Sequence, residues 1–278
     1  MPLSLKTVEP TRGVRWIVDA WHLFLRRPLA FSGLLAGWFT VGIVLSSLLP
    51  VVGSVIMLMS PPLLSLGFMI AGQSVLLDGP VGPRQFAEPL LTDRKRRQAL
   101  LVLCGLYAVA VMVATLGAMQ LADETLSKLA QQQQANQAMS AQELLTLLSS
   151  SDMTDATLFF TVVMGAISAP FWHAPALVHW GGQSAAQSLF SSLLAVWRNK
   201  LAFAVYFAAL TVGGTVAMFG LALLAVKLLP LALVGLLLAL AWVSIGAVFY
   251  LSVLFTFNDS FGGSPVQTDD DPATQPDL

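Results

Sequence analysis

Charge is what this chain has least of. Only 10% of its 278 residues are Asp, Glu, Lys or Arg, against about 25% in soluble domains. Five stretches hold none at all: Pro28–Leu77 (50 residues), Gln98–Ala122 (25), Ala156–Trp197 (42), Leu201–Val226 (26) and Leu228–Asn258 (31). A helical crossing of the hydrocarbon core needs about 20 apolar residues. The first stretch is long enough for two crossings and each of the others for one, which makes six. Cysteine is nearly absent too. The single Cys104 rules out an intrachain disulfide and any CxxC metal spacing, and it reads as a small core hydrophobe. A net charge of −1 offers no general attraction for nucleic acid. Arg12, Arg15, Arg26 and Arg27 interrupt the N-terminus, so no signal peptide is expected there. No GxSxG, P-loop, GxGxxG, HExxH or paired-carboxylate pattern occurs. The spans hold no nucleophile or acid/base set, so neither an enzyme nor a cofactor is expected.

The fourteen basic residues that are present sort to one side of the expected spans. Five precede span 1 (Lys6, Arg12, Arg15, Arg26, Arg27). Five lie between spans 2 and 3 (Arg84, Arg94, Lys95, Arg96, Arg97), and two between spans 4 and 5 (Arg198, Lys200). Only Lys128 and Lys227 fall on the other side. Lys and Arg are retained on the cytoplasmic side during insertion. The pattern therefore predicts an all-α polytopic protein of the bacterial cytoplasmic (inner) membrane, with both termini in the cytoplasm.

One membrane domain is expected over residues 1–258, with spans at about 29–49, 54–77, 98–122, 156–180, 201–226 and 231–257. Pro50-Val-Val-Gly53 is read as the outer turn, and Asp78-Gly-Pro80 as the end of span 2. Pro61 and Pro62 predict a kink in span 2, and Pro170 and Pro175 another in span 4, because proline removes a backbone donor and clashes with the preceding turn. Asp93 suits the N-cap of span 3, and Ser151, Asp152, Thr154 and Asp155 the N-cap of span 4. The external loop 123–155 is Gln-rich, with Leu144, Leu145, Leu147 and Leu148 forming a short amphipathic piece. Gly213, Ala217 and Gly220 form a small-residue face suited to internal helix packing. Residues 259–278, with Asp269–Asp271 and three prolines, read as a disordered acidic tail.

Amphipathic helices are expected on the inner leaflet. Arg15, Asp19, His22 and Arg26 make one polar stripe over residues 12–27, with Trp16, Ile17, Trp21, Leu23 and Phe24 covering much of the rest. That pattern places the tryptophans at the headgroup level. A second such helix precedes span 5, where Leu189, Phe190, Leu193, Leu194 and Trp197 oppose Ser184, Gln187, Ser188 and Ser191. Phe86 and Leu90 mark a third, weaker one. The three suggest three units, each an interfacial helix followed by two spans, and Leu29-Ala-Phe31 recurs as Leu201-Ala-Phe203. Repeats of this kind in membrane proteins often frame a central site.

Three blocks carry a resemblance to a known family. They are Trp21-His-Leu-Phe24 through Pro28, Pro61 through Met69, and Phe171-Trp-His-Ala-Pro-Ala-Leu-Val-His-Trp180 through Trp197-Arg-Asn199. Over about residues 14–203 the chain resembles an uncharacterised family of proteobacterial multi-pass inner-membrane proteins. The resemblance implies the location and the span count, and assigns no activity, substrate or cofactor. A more distant likeness, of architecture alone, is to the membrane domains that accompany some glycerophosphodiesterases.

An ionisable or polar group inside the membrane is a functional hypothesis by default. His173 and His179 are six residues apart, so they do not share a helix face as an i, i+4 metal pair would, and no metal site is expected. Gln73, Ser74, His173 and His179 form either a polar path between spans 2 and 4 or a set of packing contacts. Within that set, His179-Trp180 reads as an anchor at the inner surface. Arg26, Arg27, Arg94, Lys95, Arg96 and Arg97 serve topology and, secondarily, contact with anionic lipid headgroups, at about 1 kcal/mol per residue. The bilayer is the expected partner, and no oligomeric state follows. The leading functional reading is a non-enzymatic scaffold or envelope-maintenance factor. The alternative is a small transporter or channel.

Overall fold

The structure, a computed structural model, describes residues 4–91, 93–134 and 140–262. Every regular element in it is helical. An interfacial helix α1 (Arg12–Arg26) leads into α2 (Pro28–Leu48). The chain then reverses at the single residue Leu49 into α3 (Pro50–Met59) and α4 (Pro61–Leu76). A short helix α5 (Arg84–Ala87) with a 3-10 turn (Glu88–Leu90) precedes α6 (Arg94–Leu121). Beyond it, α7 (Asp123–Gln134) and α8 (Ala141–Leu148) lie outside the bundle. They are followed by α9 (Ser151–Phe171), α10 (Ala174–His179), α11 (Ala185–Arg198), α12 (Lys200–Leu228) and α13 (Leu231–Phe261).

Five segments are long and apolar enough to cross a bilayer: α2, α6, α9 with α10, α12 and α13. The α3–α4 pair is bent by 52° and, counted as one span, is the sixth. The bend falls at Ser60, immediately before Pro61 and Pro62, because the first proline cannot continue the hydrogen-bond ladder. Proline also starts a helix well, having no N–H to leave unpaired. Pro50 does this for α3, so the expected four-residue turn shrinks to one residue. Asp93 caps α6 by accepting from the Lys95 and Arg96 amides at 2.9 and 3.0 Å. Asp152 does not cap α9. It takes the Thr125 amide and hydroxyl at 3.0 and 2.9 Å instead, tying α7 to α9.

Burial is uneven along the helices. The end that carries Arg26, Arg27, Arg94–Arg97 and Arg198 (the basic end) holds nearly all of the core. Phe31 and Leu35 of α2, Leu64–Val75 of α4, Leu100 and Leu103 of α6, all of α10, Ala202–Tyr206 of α12 and Ala247–Phe261 of α13 contribute to it. Toward the opposite end the same helices turn their side chains outward. Gly213, Gly214 and Gly220 of α12 have no neighbouring atom within 4 Å of where a Cβ would stand, so the small-residue face does not pack internally as expected. The shared core thus lies at one end, whereas toward the other the contacts are pairwise, with Gly42 of α2 against Met57 of α3 and Gly117 of α6 against Phe159 of α9.

The two longer helices outside the spans, α1 and α11, each have a buried face, an exposed apolar face and exposed polar residues. On α1, Trp16, Ala20, Leu23 and Phe24 face the protein, and Val14, Val18, Trp21 and Leu25 are exposed and apolar. Arg15, His22 and Arg26 are exposed and polar. Spacings of three and four residues keep each set on its own face. Trp16 therefore faces the protein and not the surroundings. It is 0% exposed, packed on Phe203 and Tyr206, with Nε1 donating to Asp259 at 2.7 Å. On α11 small residues turn inward, while Ser184 and Gln187 of its polar face stay exposed. Ser188, Ser192 and Ala195 are buried, while Phe190, Leu193 and Trp197 are exposed. In hydrocarbon a small polar face packs best against protein and a bulky apolar face against lipid.

Each interfacial element packs on the second span of the unit before it: α5 on α4, α11 on α9, and α1 on α13. That cyclic rule closes the three units into a ring, and α1 makes the closure. Arg12 Nε and Trp16 Nε1 both donate to Asp259 Oδ2 at 2.7 Å. The bond to Asp259 raises the pKa of the Arg12 guanidinium. Asp259 is thus part of α13 and not of a tail; residues 263–278 lie outside the described residues. Gly13 lets α1 approach the backbone of α12 at Ala202 and Tyr206 more closely than any side chain would allow.

Replacing Asp259 with Ala is expected to lower stability by about 2 kcal/mol, typical of losing hydrogen bonds to a charged group. Limited proteolysis should then cut at Arg15 faster than in the parent protein. Gly13→Leu should release α1 in the same way.

Candidate functional site: a broken helix and its repair

Span 4 is interrupted at Trp172 and His173, between its two prolines. In an unbroken helix the His173 amide would donate to the carbonyl of Ala169. Here the Ser192 hydroxyl of α11 stands between them. It accepts from His173 N at 2.9 Å and donates to Ala169 O at 2.9 Å. One side chain thus repairs the ladder at a depth where no water can. The break re-aims the chain, and α10 follows as a short helix with every residue buried. Gly182, at φ +64°, ends it in the left-handed region that suits glycine. Arg96 Nη1 donates to the His179 carbonyl at 3.1 Å at the same end.

The His173 side chain is fully buried. Its Nε2 lies 3.0 Å from Thr256 Oγ1, as does Trp172 Nε1. Thr256 has one proton, and it is given to Val253 O at 2.9 Å. Its lone pairs therefore accept from both rings, which places the His173 proton on Nε2. Nδ1 is left as a buried acceptor without a protein partner among the described residues. Phe203, Phe257 and Phe261 surround the ring, with centroids 6.0, 5.9 and 5.5 Å away. This is a neutral imidazole held in place by aromatic edges.

The other polar residues singled out from the sequence lie apart from it. Ser74 Oγ donates to Pro80 O at 2.7 Å and fixes the turn after α4. Among the described residues the buried Gln73 amide nitrogen has no hydrogen-bond partner, and none joins it to His173. His179 is buried and its neighbour Trp180 packs on Phe257 at 5.4 Å, so the pair is a core contact and not a surface anchor. Cys104 is buried and free. Among the six basic residues, Arg96 is committed to Asp93 and His179, whereas Arg26, Arg27, Arg94, Lys95 and Arg97 are exposed at one end. No group of three or more His, Cys, Asp or Glu poised to hold a metal occurs among the described residues.

Sequence reasoning singled out His173 but missed Ser192 and Thr256. The signal was present in the spacing of Ser188, Ser192 and Ala195, which lines one face of α11 with small residues. Ser192→Ala strands a buried donor and a buried acceptor, and is expected to cost on the order of 1–2 kcal/mol. Ser188→Ala should cost well under that, since Ser188 bonds only within its own helix, to Ala185 O. Unfolding titrations in mixed detergent micelles compare the two.

A probable inner membrane protein of Burkholderia thailandensis is 32% identical to this chain over 271 residues, covering 94% of each. No protein-family model matches the chain. No solved structure matches it.

Proposed function

The chain belongs to the same family as that Burkholderia inner membrane protein, and on that premise we propose that it is a non-enzymatic membrane component, a scaffold or envelope-maintenance factor acting through helix–lipid contacts. The basic end faces the cytoplasm in this reading, with both termini there. The observation that carries it is the allocation of polar groups. His173, Ser192 and Thr256 are fully buried and, with the half-buried Trp172, bond to one another or to backbone, and Ser74 bonds within its own turn. A transport path between spans 2 and 4 would need His173 open to water. Exposed Arg26, Arg27, Arg94, Lys95 and Arg97 meet anionic headgroups of the inner leaflet, each contributing about 1 kcal/mol. The apolar faces of α1 and α11 lie in the same leaflet, which fixes the protein's depth.

Two measurements test the reading. A reporter fused after Leu278 should behave as cytoplasmic; a translocated reporter reverses the orientation. In a Cys104→Ala background, His173→Cys should resist water-soluble thiol reagents from both sides. Labelling from either side would favour a transporter.

A further inference from the structure

Between α2, α12 and α13, on the loosely packed side of the bundle, lies a groove of about 930 Å³. Phe39, Phe219 and Trp242 line it as bulky residues. Gly214, Ala222 and Gly246 make it concave. A Cβ on Gly214 would meet nothing within 4 Å, so the space beside it holds no protein atom. At Gly246, α2 lies against α13, and a Cβ there would stand 2.9 Å from Leu35 Cδ2. The lining carries no charge.

We propose that this groove holds one acyl chain of a membrane glycerophospholipid. Its depth in the bilayer argues for that occupant. All of its lining belongs to segments that cross the hydrocarbon core, where acyl chains are the surrounding solvent and an empty cleft would be filled by them. Its length agrees. From Leu210 to Ala222 it follows α12 for about 18 Å at 1.5 Å per residue, close to one half of the roughly 30 Å core, the layer of one leaflet's chains. Its volume falls within the range of about 300–1,000 Å³ of small-molecule sites. The uncharged lining matches a chain and repels a charged headgroup, which stays at the surface. A chain lodged here touches α12 and α13, which meet, and α2, which packs on α13 far more than on α12 among the described residues. It therefore adds to the sparse contact between α2 and α12.

The inference deepens the lipid-contact reading, and the two fail separately: orientation is read by the reporter, occupancy by mass. The protein is purified in detergent, given palmitoyl-oleoyl phosphatidylethanolamine and weighed intact by native mass spectrometry. One lipid retained per chain is expected. Gly214→Phe and Ala222→Phe fill the groove and should lower retention at least tenfold. Gly213→Phe is the matched control. It adds the same ring one position along, on a glycine outside the groove whose Cβ also meets nothing, and should retain the lipid. Equal retention in all variants overturns the proposal. So does equal loss in the control, a retained species without an acyl chain, or a second copy of the chain bound in place of lipid. Where a filling variant fails to fold, benzoylphenylalanine at Met218 decides. A crosslink to an acyl chain supports the proposal, and one to a second copy, or none, overturns it.

Discussion

Hydrocarbon gives an apolar helix no reason to prefer another helix over lipid. A bundle in the membrane must be specified by something else, and here that is polar pairing at one end. Asp259 gathers Arg12 and Trp16. Asn199 accepts the Val8 amide and donates to Lys6 O, pinning the N-terminal segment beside α13. Ser192 closes the gap in span 4, and Thr256 takes two aromatic N–H groups. Tyr206 and Ser252 bond at 2.7 Å between α12 and α13. All of these lie at the basic end. Remove them and the helices would still cross the bilayer, but nothing would select their neighbours.

This explains why the core gathers at one end. Toward the far end the chain offers Val, Leu, Phe and Gly with few groups to pair, and much of that apolar surface is exposed. It also gives the three-unit arrangement a purpose. Each interfacial element leans on the unit before it, so the ring is fastened at the basic end of the helices. The α3–α4 and α9–α10 breaks occupy the second span of units one and two, whereas the second span of unit three, α13, runs unbroken for 31 residues. The repeat is therefore one of packing order and not of helix shape.

Much of the architecture was legible in sequence because lipid imposes hard rules. Spans free of charge, prolines at Pro61 and Pro170, and arginines sorted to one side gave the helices, the breaks and a common end. The partners of those helices were not legible. The polar face read on α11 holds Ser184, Gln187, Ser188 and Ser191 but not Ser192, whose hydroxyl turns toward protein, where the Ala169 carbonyl accepts it. Trp16 looked like an interfacial anchor because its pattern on α1 cannot reveal the Asp259 carboxylate 243 positions along the chain. Asp259 itself was assigned to a tail because the charge count ends the span at Asn258, while the helix runs on to Phe261. The small face of α12 invites an internal partner, yet no neighbouring helix among the described residues reaches Gly213, Gly214 or Gly220. In each case local pattern gave the element, and long-range pairing decided its orientation.

The central claim is that the bundle is fastened at its basic end and loose at the other. Distance measurements between pairs of spin labels in lipid nanodiscs test it most directly. With Cys104 replaced by Ala, one protein carries labels at Leu29 and Leu201, exposed positions at the basic end of α2 and α12, and another at Leu48 and Leu228, exposed at the far end. The account predicts a narrow distribution for the first pair and a broad one for the second. Equally narrow distributions, or a broader one at the basic end, would contradict it.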